Sequence, residues 1–201
     1  MTEGIDDKGK RRFLIAATSV VGAVGAGFAA VPFVMSLKPS AKAQAAGAPV
    51  EVDISKVEPG GKVTVEWRGK PVWVVRRTEE SLAELKDLDA KLSDPNSDVV
   101  EQQPGYAKNP SRAIKPEYLV VVGICTHLGC SPTHVKADDP AGAVFDDDWR
   151  GGFFCPCHGS KFDLAGRIYA GLPAPTNLVV PPHTYINDSR ILIGIDQEGA
   201  A

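Results

Sequence analysis

Apolar positions change their spacing several times along the chain. From residue 13 to residue 37, FLIAATSVVGAVGAGFAAVPFVMSL, none is charged. As a helix rising about 1.5 Å per residue this run covers roughly 37 Å, enough to cross a hydrocarbon core of about 30 Å. It predicts a single transmembrane anchor over 13–37. Gly22, Gly25 and Gly27, with Ala23 and Ala26, form a small-residue stretch that lets helices approach closely in lipid, and Pro32 is placed to kink the last turns. Residues 1–12 are polar, without apolar periodicity, and are expected to be disordered or at the cytoplasmic face. Residues 38–49 are dominated by Pro, Ala and Gly and show no buried period, which predicts a flexible linker.

From residue 50 the apolar positions alternate or run continuously, rich in Val. Strands are predicted over 50–54, 62–67, 72–76 and 118–123, punctuated by Pro59-Gly60-Gly61 and Gly69-Lys70-Pro71. Leu82, Leu85, Leu88 and Leu92 recur at helical spacing and predict a surface helix over 79–91 that Pro95 helps to end. Residues 93–116, dense in Pro, Asn and Ser, read as a long connection. Closing strands are predicted over 178–180, 184–187 and 190–195, the last two joined by a hairpin at Asp188-Ser189. The fold class is mainly β: an antiparallel β domain over 50–201 behind an N-terminal helix and linker.

Charge adds topology. The 201 residues carry a formal net charge of −3 and no basic stripe interleaved with aromatics, so nucleic acid is not an expected partner. Lys8, Lys10, Arg11 and Arg12 precede the apolar run, and Lys38 and Lys42 follow it. That bias places the N-terminus in the cytoplasm and the bulk of the chain outside. Ala41-Lys42-Ala43 and Gln44-Ala45-Ala46 resemble cleavage sites, but the apolar run exceeds the about 7–15 residues of a secretory signal core, which favours a retained anchor. Lys10-Arg11-Arg12-Phe13-Leu14 also resembles a twin-arginine export signal, in register only if Lys10 stands for the first arginine. Asp138, Asp139 and Asp146 to Asp148 make the segment 131–154 an expected solvated acidic loop.

The candidate chemistry is confined to two stretches, Cys125-Thr126-His127-Leu128-Gly129-Cys130 and Cys155-Pro156-Cys157-His158-Gly159-Ser160. They hold all four cysteines and two of the four histidines; His134 and His183 lie outside and read as surface or turn residues. Each stretch offers closely spaced thiolate and imidazole, as C-x-H and C-x-x-H. Ligand type alone leaves a Cys2His2 zinc site open, and two plain disulfides are a further possibility, with three pairings. Zinc fingers take a same-type pair from each element, whereas here each loop mixes Cys with His. The mixed pattern suits a two-iron cluster in which one iron takes two Cys and the other two His.

Both stretches match, residue for residue, the boxes C-T-H-L-G-C and C-P-C-H-G-S, and on them the chain resembles the Rieske iron–sulfur subunits of cytochrome bc1 complexes. The resemblance extends to the basic start, the anchor, the Val-rich strand before Cys125 and Gly171-Leu172-Pro173-Ala174-Pro175. It implies one [2Fe-2S] cluster of Rieske type on Cys125, His127, Cys155 and His158, within a small cluster-binding part at about 124–176. It also implies a Cys130–Cys157 disulfide, shielding of the cluster by Leu128, Pro173 and Pro175, and a Ser160 hydroxyl that donates to a cluster sulfur. His158, with His127, would serve quinol oxidation: His158 accepts the quinol's hydrogen bond and couples electron to proton transfer. The implied activity is that of quinol–cytochrome c reductase, with one electron taken from quinol at cytochrome b and passed to cytochrome c1, coupled to proton translocation in a dimeric inner-membrane complex. A cytochrome b6f-type complex and an arsenite oxidase are the alternative settings; a Rieske oxygenase normally lacks the extra cysteines and the anchor. The chain departs from the better-known high-potential members at Phe162, where they carry tyrosine.

Overall fold

The structure is a computed structural model that describes residues 7–41, 43 and 47–196. It divides into two compact units, residues 1–45 and 46–201.

In the first unit helix α1 runs Lys8–Ser36. Asp7 caps it, its carboxylate accepting from the backbone N–H groups of Gly9 and Lys10 at 3.0 and 3.2 Å. These bonds satisfy donors that the first turn leaves orphaned. Residues 8–12, expected without structure, are therefore helical; residues 1–6 lie outside the described residues. Pro32 sits inside the helix, and no side chain of α1 is buried. Its length and composition are those of a membrane-crossing helix, with Phe13, Phe28 and Phe33 all on the surface. Of the expected linker 38–49, residues 42 and 44–46 lie outside the described residues, and with them most of the candidate cleavage site. Ala41 and Ala43 are helical.

Among the described residues the second unit holds three antiparallel three-stranded sheets. The first joins β1 (Val50–Asp53), β9 (Arg190–Ile193) and β8 (His183–Asn187); the second runs β2 (Lys62–Trp67), β3 (Lys70–Arg76), β4 (Tyr118–Val122). The third, β5 (Thr133–Val135), β6 (Gly152–Phe154) and β7 (Lys161–Phe162), carries the cysteine loops.

Why β3 and β4 read as continuous apolar runs is now evident. Val72 and Val74 pair with Val122 and Val120 and pack towards β1 and β9 with Val52, Ile54, Ile191 and Ile193. Trp73 and Val75 pair with Val121 and Leu119 and face the opposite way, onto Cys125, Phe153, Cys155 and Phe162. A sheet covered on both faces needs apolar residues at every position. The central strands thus serve at once as the core of the base and the floor of the cysteine site.

Several expectations are corrected. The helix predicted over 79–91 stops early: α2 spans Glu79–Glu84, capped by Thr78, and a 3-10 turn follows at Asp89–Lys91. Arg167 holds the chain beyond the helix end. Its Nη2 donates to the Leu85 carbonyl at 2.7 Å, the acceptor that a continuing helix would offer to Asp89, and its Nη1 holds the Asp89 carboxylate at 2.7 Å. Asp89 N–H turns to Lys86 instead. Leu85, Leu88 and Leu92 are buried against Leu164, Ala165 and Tyr169 rather than lying on a surface helix. Residues 178–180 form no strand: Val179 accepts from Val122 and Val180 donates to Gln102, but Pro181-Pro182 supply no further donors for a ladder.

The segment 131–154 is not a plain acidic loop either. It contributes β5, β6 and a short helix α3 (Gly142–Phe145), and its carboxylates are partly paired, Asp146 with Lys161 and Asp148 with Lys91, both at 2.7 Å. Lys161 holds the Asp146 carboxyl below its ordinary value.

Of the two outlying histidines, His183 is buried and His134 is half-buried. His183 is 1% exposed at the start of β8, its Nδ1 donating to the Pro181 carbonyl at 2.8 Å. His134 lies in β5 against the Phe153 ring, and burial, with Lys62 and Lys136 nearby, pushes its pKa down to about 4. A histidine held neutral in the fold contributes stability above its unfolded pKa of about 6.5, which is lost as pH falls towards about 4, because the unfolded chain takes the proton first. Comparing wild type with His134→Phe by denaturant unfolding, we expect their free-energy difference to shift against wild type by about 3 kcal/mol between pH 7 and pH 4. A difference that stays flat with pH would mean that His134 titrates as if exposed.

Candidate metal centre

The two cysteine loops are built to one hydrogen-bond plan. In the first, Cys125 N–H donates to the Cys130 carbonyl at 2.7 Å and Gly129 N–H to the Cys125 carbonyl at 3.1 Å. In the second, Cys155 N–H donates to the Ser160 carbonyl at 2.8 Å and Gly159 N–H to the Cys155 carbonyl at 2.9 Å. Each six-residue box therefore closes on itself, with its first residue pointing into the core and its middle residues at the tip. The fifth residue takes the left-handed conformation in both, Gly129 at φ 83° and Gly159 at φ 77°. A Cβ would meet nothing there, so the glycines are required by backbone conformation and not by space.

The folded loops separate the four cysteines into two kinds. Cys130 and Cys157 form a disulfide, with their Cα atoms 6.6 Å apart. Cys125 and Cys155 are free thiols, each 2% exposed. The Sγ atoms of Cys130, Cys155 and Cys157 lie within 4.8 Å of one another, so the disulfide runs directly beside a free thiol. Burial pushes the Cys125 thiol up, against the pull of the His127 backbone N–H, and the adjoining Cys155 thiol raises it further while the Ser160 hydroxyl lowers it.

His127 and His158 face each other edge to face, ring centroids 4.7 Å apart. His158 is exposed, whereas Nδ1 of His127 is buried without a hydrogen-bond partner. A buried ring nitrogen without a partner, opposite a second imidazole and on loops that each carry a buried free thiol, is a donor set that fits a metal centre. These four side chains could hold a two-iron cluster with mixed ligands.

A third segment completes the walls. Gly171 to Pro175 is tied to both boxes: Ala174 N–H donates to Ser160 Oγ at 3.0 Å, and Thr126 Oγ1 donates to the Thr176 carbonyl at 2.7 Å. Ala174 is buried, with Pro173 and Pro175 exposed on either side. Leu128 stands 70% exposed at the tip. Thr126 was missed from sequence, because a threonine inside a box carries no signal of a partner 50 positions away.

Beneath the site lies a buried ionic scaffold that sequence reading also missed. Asp163, fully buried just after β7, accepts from the N–H groups of Ala165 and Arg167 and from Arg167 Nε at 2.8 to 2.9 Å. Arg112, also fully buried, donates to the carbonyls of Ala165, Gly166, Gln102 and Leu178 and to the Gln103 side chain. Arg112 thereby pins the long connection to the segment between the second box and the proline loop.

Comparison with known proteins agrees with this geometry. Residues 49–182 match the family model of the Rieske [2Fe-2S] domain, and residues 1–40 match that of the Ubiquitinol-cytochrome C reductase Fe-S subunit TAT signal. The chain is 64% identical to the ubiquinol-cytochrome c reductase iron-sulfur subunit of Allochromatium vinosum, over 96% of this chain and 92% of that one. It is 42% identical to the subunit of the same name from Bradyrhizobium diazoefficiens, over 94% and 96%, and 44% identical to that from Rhodospirillum rubrum, over 94% and 93%. The apolar helix and the export-signal match fit a membrane-anchored, exported subunit. With two buried free thiols, two facing imidazoles and a disulfide between their loops, the chain belongs to the Rieske [2Fe-2S] proteins, in the family of ubiquinol-cytochrome c reductase iron-sulfur subunits.

Proposed function

We propose that this protein is the electron-transfer subunit of a bc1-type quinol–cytochrome c reductase, taking one electron from quinol at cytochrome b and passing it to cytochrome c1, coupled to proton translocation. The observation that carries the reading is the division of the four cysteines beside the two facing histidines. In it, Cys125, His127, Cys155 and His158 hold the cluster, and the Cys130–Cys157 disulfide ties the loops over it. When bound, a cluster of this ligation supplies one-electron chemistry at a potential of about −150 to +300 mV, high enough to oxidise a quinol.

His158, exposed at the tip, presents its imidazole to accept the quinol's hydrogen bond and to hold the proton that leaves with the electron. Leu128 beside it supplies an apolar docking surface. Ala174, anchored on Ser160, keeps the proline loop closed over the boxes and excludes water from their inner side. In domain terms, 1–12 is the cytoplasmic end, 13–37 the anchor, 38–49 the hinge and 50–201 the head, with the cluster-binding part at about 124–176. The basic residues before the anchor support an N-terminus in the cytoplasm and a periplasmic head on the bacterial inner membrane, within a dimeric complex.

The test is purification of the tagged chain from membranes in mild detergent. A dihaem cytochrome b and a c-type cytochrome should accompany it, and the preparation should reduce cytochrome c with quinol. Recovery of the chain with neither cytochrome, or with a molybdenum-containing partner, would reassign it.

Phe162 gives a finer expectation. It is fully buried and packs with Cys125 and Cys155 in one core cluster. Where relatives carry tyrosine, the hydroxyl is implied to donate to a cysteine ligand, a bond that favours the reduced, more negative state. A hydrogen bond to a charged group is worth about 1.5–3 kcal/mol, of which only the difference between oxidation states reaches the potential. Phe162→Tyr is therefore expected to raise the midpoint, measured by protein-film voltammetry. A midpoint that stays or falls would remove Phe162 from the residues that tune it.

A further inference from the structure

Away from the boxes, a cleft of about 280 Å³ opens between the end of β3, the start of α2 and the chain leaving β5. Pro59, Val75, Arg77, His134, Lys136 and Asp138 are among its lining residues. We propose that this cleft binds a small tetrahedral oxyanion of the phosphate class, held by Arg77, His134 and Lys136.

Arg77 is the anchoring observation. It is 3% exposed, and its Nε and Nη1 donate to the carbonyls of Pro116, Ser111 and Leu164 at 2.8, 2.8 and 3.0 Å. Its Nη2 is buried and has no hydrogen-bond partner. Among the described residues no carboxylate forms an ion pair with it, unlike its neighbours Arg76, paired with Glu117, and Arg167, paired with Asp163. A buried guanidinium whose hydrogen bonds all go to neutral carbonyls has the Asp163 charge acting on it without an ion pair, and an oxyanion at Nη2 would supply a counter-charge in direct contact.

Two further groups converge on the same space from another element. The His134 ring packs on Phe153, and its side chain makes no hydrogen bond to the described residues. Kept uncharged by burial and by the nearby lysines, it offers a ring N–H to an anion without needing a counter-ion of its own. Lys136 is exposed at the mouth, its Nζ 3.9 Å from where a side chain on Gly60 would begin.

Charge selects this side of Arg77 over the other. A neighbouring cleft that Arg77 also lines is flanked by Glu79, Glu80 and Glu117, which repel anions. The side facing His134 has Asp138 as its carboxylate against Arg77 and Lys136, with Lys62 acting on His134 as well. Donors arriving from different elements suit a tetrahedral oxyanion better than a planar carboxylate, and Val75 and Pro59 leave an apolar wall for the organic part of a monoester.

Calorimetric titration of the full holoprotein in detergent, at ionic strength held constant with chloride, tests the assignment with inorganic phosphate and with glycerol 1-phosphate. Saturable binding is expected for wild type. It should weaken by about 10-fold or more in Lys136→Glu, which alters an exposed side chain, and in His134→Phe, each removing one hydrogen bond to a charged ligand. Arg77→Lys should weaken it too; if that variant does not fold, the other two still decide. Equal affinity for the two probes identifies free phosphate as the ligand, and tighter binding of the monoester identifies an organic phosphate. No saturable heat with either probe, or unchanged affinity in both Lys136→Glu and His134→Phe, overturns the proposal.

Discussion

Cys125→Ser is expected to yield protein with essentially no iron or acid-labile sulfide, whereas Cys130→Ser should retain part of both when isolated freshly and under mild conditions. The two cysteines stand five residues apart in one box, so the contrast comes from their folded roles. Cys125 is a buried free thiol beside Cys155, and serine offers a hard hydroxyl of far higher pKa where a soft thiolate is needed. Cys130 is joined to Cys157 across 27 positions, and its loss removes a tie worth about 2–4 kcal/mol without touching a proposed ligand. The loops would still close through their own hydrogen bonds, Cys125 to the residue-130 carbonyl and Cys155 to Ser160, so the site is loosened and not erased. Iron and sulfide per chain, measured on both variants purified side by side, check the expectation. Equal and complete loss in the two would refute the division into ligand and bridge.

Asp163→Ala should be the most destabilising single change outside the boxes, costing about 3–5 kcal/mol. Asp163 is fully buried and is bonded through both carboxylate oxygens to Arg167, itself 1% exposed. Its charge also acts on Arg77 and Arg112, whose pKa values burial lowers to about 10 and whose cationic forms Asp163 supports. Deleting the carboxylate leaves three buried guanidinium groups close together without it, and frees the N–H groups of Ala165 and Arg167 in the interior. Since this turn carries the chain from β7 towards the proline loop, we expect cluster retention to fall along with stability. The denaturation midpoint of Asp163→Ala against wild type, with Asp163→Asn as the variant that keeps the hydrogen-bond acceptor, measures the effect. A loss under about 1 kcal/mol would show that the surrounding carbonyls suffice to hold the arginines.

Where the chain announced its structure, a long pattern did so. The N-terminal apolar helix was legible as 25 uncharged residues in a row, and β2, β3 and β4 from Val-rich runs bounded by Gly and Pro, because each side chain's burial follows directly from period and face. The third sheet was not legible. Its strands are two or three residues long, too short to show any period, and form only because disulfide, boxes and core hold their ends together. Likewise the leucine spacing from Leu82 to Leu92 recorded burial correctly but not helix: the helix ends at Glu84, and Arg167, 82 positions from Leu85, holds the Leu85 carbonyl beyond it.

What the sequence alone determined was the chemistry: two boxes of Cys and His at mixed spacing, an apolar span behind basic residues, and a Val-rich β domain to carry the boxes. These are local properties, written in neighbouring residues. Only the tertiary structure decided that His127 has a ring nitrogen left bare and that three arginines and Asp163 lie inside the molecule. These buried charges cannot be read from sequence, because their burial also depends on partners such as those 66 to 87 positions away, and those meet them only once the chain has folded.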